Sequence, residues 1–382
     1  MRVLAAVSLG GAGHLNPLVP FLELARRNGD DALVVGPEAL ADLVAATGLP
    51  FEAGGEPAEA QVAAIRERLP SSPPSEASGL GNRELFGRLA APALLPAMMD
   101  ACERWRPDLL LRDPCEHASA AVAARLGLRI AQVAISVAEA EWASIAVAAP
   151  ALEELHPGLT AIERATPYLT SFPIELDPSP FPDTVRFHNP VASTPPLPDW
   201  WDGSRAPLVY LTFGTVLGYM TIAAGVFRTA LRAVEGLRVR VLLTVGHRFD
   251  PTVLDSVPST VHTERWVPQA QVLPEADLVV CHGGSGTVYG ALASGVPVVV
   301  IPVFADQFEN GRRITAAGAG LVVEPAGGSR TRVVGERDLP SIREAIETVL
   351  AAPAYKARAQ AIAANLAATP PAENVLAALL TS

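Results

Sequence analysis

Leu278-Val279-Val280-Cys281-His282-Gly283-Gly284-Ser285-Gly286-Thr287 runs from four apolar residues through a turn of small residues into a helix-compatible stretch over 287–293. An unbroken apolar strand suits a parallel sheet covered on both faces, and strand–turn–helix–strand order is the repeating unit of such a sheet. The next strand is predicted at 298–301. Working upstream, the same half predicts strands at 208–213 and 239–245 with a helix at 222–234 between them. Downstream it predicts helices at 341–350 and 355–368, then an apolar tail at 375–380.

The first half repeats the pattern without repeating the sequence. Residues 3–7 read as a buried strand, Gly10-Gly11-Ala12-Gly13 as a turn, and Pro17, Leu18, Phe21, Leu22 and Ala25 as the start and inner face of a helix that stops near Gly29. A strand at 32–35, ended by Gly36-Pro37, leads to a helix at 38–46. Helices at 93–104 and 118–126 alternate with strands at 109–111 and 130–135. Residues 54–82 lose the rhythm: an alanine-rich helical candidate precedes Pro70-Ser71-Ser72-Pro73-Pro74-Ser75, read either as a surface loop or as a loop over a binding cleft. The proline-rich stretch Asn189–Pro198 reads as a linker. The expected organisation is a Rossmann-like domain over 1–190, a linker over 191–207, a second Rossmann-like domain over 208–368, and a C-terminal helix over 369–382.

Composition narrows the function. The 382 residues include 49% hydrophobic and 18% charged, enough for two cores and against wholesale disorder. No apolar run in the sequence reaches the roughly 18 residues of a membrane span. Up to residue 195 there are 14 arginines against 24 acidic residues; beyond it, 15 basic against 16 acidic, for a net charge of −11. Such a balance argues against nucleic-acid binding and leaves room for a small anion site in the second half. Cys102, Cys115 and Cys281 are too dispersed for a disulfide framework or a thiolate metal cluster, and no secretory pattern precedes the first strand. The expected compartment is the cytoplasm.

Chemistry concentrates at predicted strand ends. Around His282-Gly283-Gly284-Ser285-Gly286-Thr287, small residues allow close approach of a phosphate, while backbone N–H groups, the Ser285 and Thr287 hydroxyls and the His282 ring supply donors. A capped strand–helix turn explains the same residues without a ligand. The Gly-Lys-Ser/Thr of a Walker loop is missing, and the chain's lone lysine is Lys356. Thr212-Phe213-Gly214-Thr215 is a second glycine turn of the kind that approaches the same phosphate. Trp266-Val267 offers an aromatic plane for a nucleobase or for a core, and Asp306-Gln307 suits sugar hydroxyls or a surface cap. In the first half, His14 and Asp113 follow the predicted strands at 3–7 and 109–111, where an imidazole suits proton transfer and a carboxylate can orient it. A structural histidine and a loop-solvating aspartate are the plain alternatives.

Taken in order, Gly11-Ala12-Gly13-His14-Leu15-Asn16-Pro17, Trp266-Val267-Pro268-Gln269, His282–Thr287, Gly295-Val296-Pro297 and Asp306-Gln307-Phe308-Glu309-Asn310 resemble the nucleotide-sugar-dependent glycosyltransferases that modify natural products. The resemblance spans nearly the whole chain. It implies the GT-B architecture: two Rossmann-like domains facing across a cleft, with the last helix crossing back to brace the first. It further implies His14 as general base and Asp113 as its orienting partner. His282, Gly283, Gly284, Ser285, Gly286 and Thr287 would surround the diphosphate, with Thr215 opposite. Trp266 and Val267 would line the base site, and Asp306 and Gln307 would meet the transferred sugar. Gly290 stands where many plant members carry a ribose-binding glutamate. That tilts the donor toward a dTDP-sugar over a UDP-sugar. The implied reaction is an inverting transfer to a small, largely apolar acceptor, without a resident cofactor or metal, in a monomer or homodimer with an activating partner possible. Trp142 and residues 54–82 are candidates for acceptor selection. A nucleotide-sugar epimerase and a non-catalytic auxiliary subunit are the competing readings.

Overall fold

Strand β1 (Arg2–Ala6) is buried from Val3 to Ala6 because both of its faces are covered. It is the third strand of a seven-stranded parallel sheet with β2 (Asp31–Pro37), β3 (Phe51–Gly54), β4 (Leu109–Arg112), β5 (Ile130–Val133), β6 (Tyr168–Thr170) and β7 (Thr184–Arg186), in the order β3-β2-β1-β4-β5-β6-β7. Register places Ala6 beside Val35 and Arg112, and Arg112 beside Gln132. One face packs Val3, Ala5 and Val7 against Phe21 and Leu22 of the helix Val19–Arg27. The other packs Leu4 and Ala6 against Leu94 and Met98 of Ala91–Trp105. In this computed structural model the described residues are 1–382 apart from 10, 70–71, 190–193, 215–216, 255–256, 304–305, 327–332 and 382.

A second sheet is built the same way. Its strands β8 (Leu208–Thr212), β9 (Arg240–Thr244), β10 (Val261–Glu264), β11 (Leu278–Cys281), β12 (Val298–Val300) and β13 (Gly320–Val322) are parallel in the order β10-β9-β8-β11-β12-β13. Both sheets reverse direction of growth at their first strand, between β1 and β4 and between β8 and β11. At such a reversal the flanking connections leave on opposite faces, and the strands' carboxyl ends open a crevice.

The chain divides into two compact units. The first comprises Met1–Phe172, Asp177–Pro190 and Thr369–Ser382, and the second Pro173–Leu176 and Val191–Ala368. Inside the first unit the final helix, Ala372–Thr381, buries Val375, Leu376 and Leu380 beside Phe21 and Leu22. Its entry is tied by a bridge between His188 and Pro371, and its exit by Arg129, whose Nη1 donates to the Leu380 carbonyl at 2.8 Å.

Several expectations change at this level. The described residues after 193 in the expected linker are bound to the second unit: Trp200 stacks on His262 with ring centroids 4.2 Å apart, and Trp201 Nε1 donates to the Thr260 carbonyl at 3.0 Å. Within 54–82 the alanine-rich helical candidate is present as Glu59–Arg68, but the stretch read as a loop is helical over Pro74–Ser78 and then winds as a π-helix over Gly79–Ala90 into Ala91–Trp105. Glu76–Trp105 is thereby long and apolar enough to cross a bilayer by composition, although no shorter reading of the sequence suggested it. Its apolarity is accounted for by burial: Leu85, Ala90, Ala91, Leu94, Met98 and Ala101 all lie inside the first unit.

Candidate active site

In the first unit, β1 and β4 deliver the two predicted catalytic side chains to the same crevice. His14 rides on the single turn Ala12–Leu15 that follows β1, and Asp113 is the first residue beyond β4. His14 Nδ1 lies 3.3 Å from Asp113 Oδ1, with the imidazole partly buried and the carboxylate almost fully so. The separation is that of an ion pair, and Nδ1 has no well-aligned hydrogen bond among the described residues. Asp113 is fixed from its own loop, where Oδ1 accepts the Cys115 backbone N–H at 2.7 Å. Burial alone would lower the His14 pKa. The Asp113 charge, brought to within 3.3 Å of the ring, outweighs burial and holds the ring above the ordinary histidine value. Such a histidine is a stronger base than a free one, and its protonated form has a counter-ion waiting.

Phe86 completes this corner, its ring centroid 5.6 Å from that of His14. It projects from the π-helix, whose widened turn shifts side chains off the ordinary helical row. Sequence periodicity gave no signal for it. Trp142 sits in the helix Ala138–Leu155 and is engaged elsewhere: edge-on to Phe181 at 5.1 Å and beneath the Arg164 guanidinium at 4.3 Å. With Arg164, Thr160 and Pro182 it lines a groove of about 430 Å³. Neither His14 nor Asp113 borders that groove.

In the second unit, β8 and β11 end at the other predicted cluster. Gly283 has φ +91°, and a Cβ there would stand 2.6 Å from Val300 Cγ1 and 2.9 Å from the Gln307 carbonyl oxygen. Only glycine fits. The His282 ring is wedged between two further glycines: a Cβ on Gly284 would come within 2.4 Å of its Nε2, and one on Gly214 within 2.8 Å of its Cε1. Burial pushes the His282 imidazole down to about 4, against the opposing pull of Asp306 and the Thr212 backbone. The His282 ring is therefore neutral and carries one N–H. The helix Ser285–Ala293 begins at Gly284 with no side chain capping its N-terminus, so its first amides face the turn unsatisfied by a cap.

The two hydroxyls of the turn are not equivalent. Ser285 Oγ gives its proton to Asp306 Oδ2 at 2.9 Å, so it serves the protein's own framework. Thr287 Oγ1 accepts from Gln269 Nε2 at 3.1 Å and keeps its proton to donate. Asn310, fully buried and unassigned by sequence, ties the parts together: its Nδ2 reaches the Gly283 carbonyl at 2.9 Å, Ser285 Oγ at 3.0 Å and Asp306 Oδ2 at 3.3 Å. Gln307 Oε1 accepts the Val303 N–H at 2.8 Å, which pins the strand-end loop after β12. Trp266 is 54% exposed, with its plane within 23° of the His247 ring, whereas Val267 is buried. Gly286 opens onto free space, and Thr215 lies outside the described residues. Among the described residues, no group of three or more His, Cys, Asp or Glu side chains is placed to hold a metal ion.

Residues 228–381 match the family model described as the C-terminal domain of erythromycin biosynthesis protein CIII-like proteins. Over its whole length the chain is 33% identical to the elloramycin glycosyltransferase ElmGT of Streptomyces olivaceus, covering 97% of that protein. Among solved structures, SsfS6 of Streptomyces sp. SF2575, complexed with thymidine diphosphate, superposes with a TM-score of 0.75 at 24% identity, each chain fully covered. The spinosyn rhamnosyltransferase SpnG, complexed with spinosyn aglycone, gives 0.77 at 23% identity over 99% of this chain and 100% of that one.

Proposed function

The chain belongs to the nucleotide-sugar-dependent glycosyltransferases of natural-product biosynthesis, and from that premise we propose an inverting transfer in which His14 is the base and a dTDP-sugar the preferred donor. His14 Nε2 takes the proton from an acceptor hydroxyl as its oxygen attacks the anomeric carbon. The C–O bond to the diphosphate breaks on the opposite side, so the configuration inverts. Asp113 stabilises the imidazolium that forms, and the departing diphosphate is met by the N-terminus of Ser285–Ala293 and the Thr287 hydroxyl.

The observation that carries this reading is the His14–Asp113 pair, 3.3 Å apart at the reversal point of the first sheet, with the ring held above its usual pKa. That arrangement suits taking a proton and holding the charge. It favours a catalytic role over an auxiliary one, which needs no base, while epimerisation of the donor, which can also use a base, is separated by its products. The preference for deoxyribose rests on Gly290, which offers no carboxylate; a side chain there would begin 3.4 Å from Gln269 Oε1, so that carboxamide already occupies the neighbouring space. SpnG is complexed with an aglycone and SsfS6 with thymidine diphosphate, which is in keeping with the proposed small-molecule acceptor and dTDP-sugar donor.

Mass spectrometry of hydroxylated apolar acceptors incubated with matched dTDP- and UDP-sugars tests the whole reading. The expected product carries one sugar of inverted configuration, formed faster from dTDP. Donor conversion with no glycosylated product would replace transfer by epimerisation.

A further inference from the structure

Behind Asp113 lies a buried ion pair that takes no part in the proton transfer. Arg112, the last residue of β4, and Glu163, on the helix Leu159–Ala165, both have side chains with no solvent exposure, and Arg112 Nη2 stands 3.3 Å from Glu163 Oε1. Removing two charges from water is expensive, and such a pair often adds nothing to stability that well-packed apolar residues would not supply. Its hydrogen bonds show another use. Arg112 Nε donates to the Glu116 carbonyl and Nη2 to the Pro114 carbonyl, the latter at 3.1 Å, while Nη1 reaches Gln132 Oε1 at 3.2 Å. The two loop carbonyls flank Cys115, the residue whose N–H holds the Asp113 carboxylate. Glu163 is anchored in turn, with Oε1 2.9 Å from His117 Nδ1 and its backbone carbonyl accepting Gln132 Nε2 at 2.9 Å.

Resting on the reading of His14 as base, we infer that Arg112 and Glu163 are positioning residues for proton transfer. Arg112 clamps the loop so that the Asp113 carboxylate meets His14. Glu163 neutralises the guanidinium so that Asp113 serves the imidazole and not its own neighbour in sequence. The other titratable groups around the loop leave this division intact. Burial pushes the Cys115 thiol well above its ordinary range, and pushes the Glu141 carboxyl, at the head of Ala138–Leu155, up to about 8. Glu116 is also raised by burial, and its carboxyl is taken up by Ser119, whose N–H donates at 3.0 Å and whose hydroxyl donates as well. His117 Nδ1 faces Glu163 and the Arg112 guanidinium.

The test is Glu163→Gln in the full-length enzyme. It keeps the shape of the side chain and leaves the Arg112 charge uncompensated. Titration of the His14 ring by NMR, without substrates, should give a lower pKa than wild type. The acid limb of kcat against pH should move to lower pH, with the plateau reduced by up to about 10²-fold, the donor KM unchanged, and Glu163→Asp restoring both. A folded Glu163→Gln enzyme with wild-type His14 titration overturns the inference. If this variant does not fold, Arg112→Gln/Glu163→Gln removes both charges together. Its unclamped loop should lower the His14 pKa in the same direction by less, and wild-type titration in that folded double variant overturns the inference equally. His14→Ala separates the two layers. Full turnover there would sink the base assignment, while the NMR titration would still report whether the pair places Asp113.

Discussion

The carboxyl ends of β1 and β4 and those of β8 and β11 occupy equivalent places in two similar sheets, yet their histidines are shifted in opposite directions. His14 has an almost fully buried carboxylate 3.3 Å away and is held above the ordinary histidine pKa. His282 is packed between the backbones of two glycines, with Asp306 too weak to offset burial, and falls to about 4. The fold fixes where a strand-end residue stands; its neighbours decide what that residue does. On the proposed reading, one histidine accepts the acceptor's proton and the other stays neutral beside the diphosphate.

The sharpest way to break the comparison is to remove each histidine in turn. His14→Ala should lower kcat by about 10²–10⁴-fold, the usual worth of a positioned base, with thymidine diphosphate affinity unchanged by calorimetry. A parallel loss of affinity would mean that the two strand ends do not divide the labour. Asp113→Asn comes next. The neutral amide removes the charge that opposes burial, so the His14 pKa falls and the acid limb of kcat/KM moves to lower pH. The plateau should drop by about 10²-fold, since the imidazolium formed in the transition state loses its counter-ion. A limb that stays put would assign it to some other group.

On the donor side the effects should be smaller and confined to binding. Gly284→Ala puts a methyl 2.4 Å from the His282 ring, a clash that has to be relieved by moving the ring or the turn. Overpacking of about 1–3 kcal/mol translates to roughly 5–150-fold weaker donor binding, with kcat at saturating donor near wild type. Thr287→Ala should cost more donor affinity than Ser285→Ala, because only the threonine keeps a proton to give a phosphate. Equal losses would show that the Ser285–Asp306 bond opens on binding.

Most of this architecture was legible in residue order, for a physical reason. Strands buried on both faces read as unbroken apolar runs, so β8, β9, β11 and β12 stood out within a residue or two, and the glycine turns marked their ends. Three-residue strands such as β6, β7 and β13 carry too few residues for any period. The 18-residue helix Ala138–Leu155 escaped because its alanines and scattered apolar residues present no single buried stripe. The site divides along the same line. Residues next to a strand end, such as His14, Asp113 and His282, announced themselves. Phe86 and the Arg112–Glu163 pair act through contacts between segments far apart in the chain that no local pattern encodes, and Asn310, although it closes the Asp306–Asn310 motif, takes its role from Gly283 and Ser285 in a separate turn.

The smallest expected effect concerns the charge on His282, and it sharpens the comparison most. If an imidazolium gripped the diphosphate, affinity would rise as pH falls, because binding would take up a proton. With the ring pushed down to about 4, only a small fraction is protonated at pH 5 and almost none at neutrality. Thymidine diphosphate affinity should therefore follow the same pH course in wild type and in His282→Asn between about pH 5 and 8. The asparagine removes the ring's titration and leaves that of the phosphate itself. The two curves should differ by a constant offset, the value of one neutral N–H donor, about 0.5–1.5 kcal/mol. Curves that diverge toward acid pH would show that the bound anion drags the His282 pKa upward, and the two histidines would then differ only until the donor arrives.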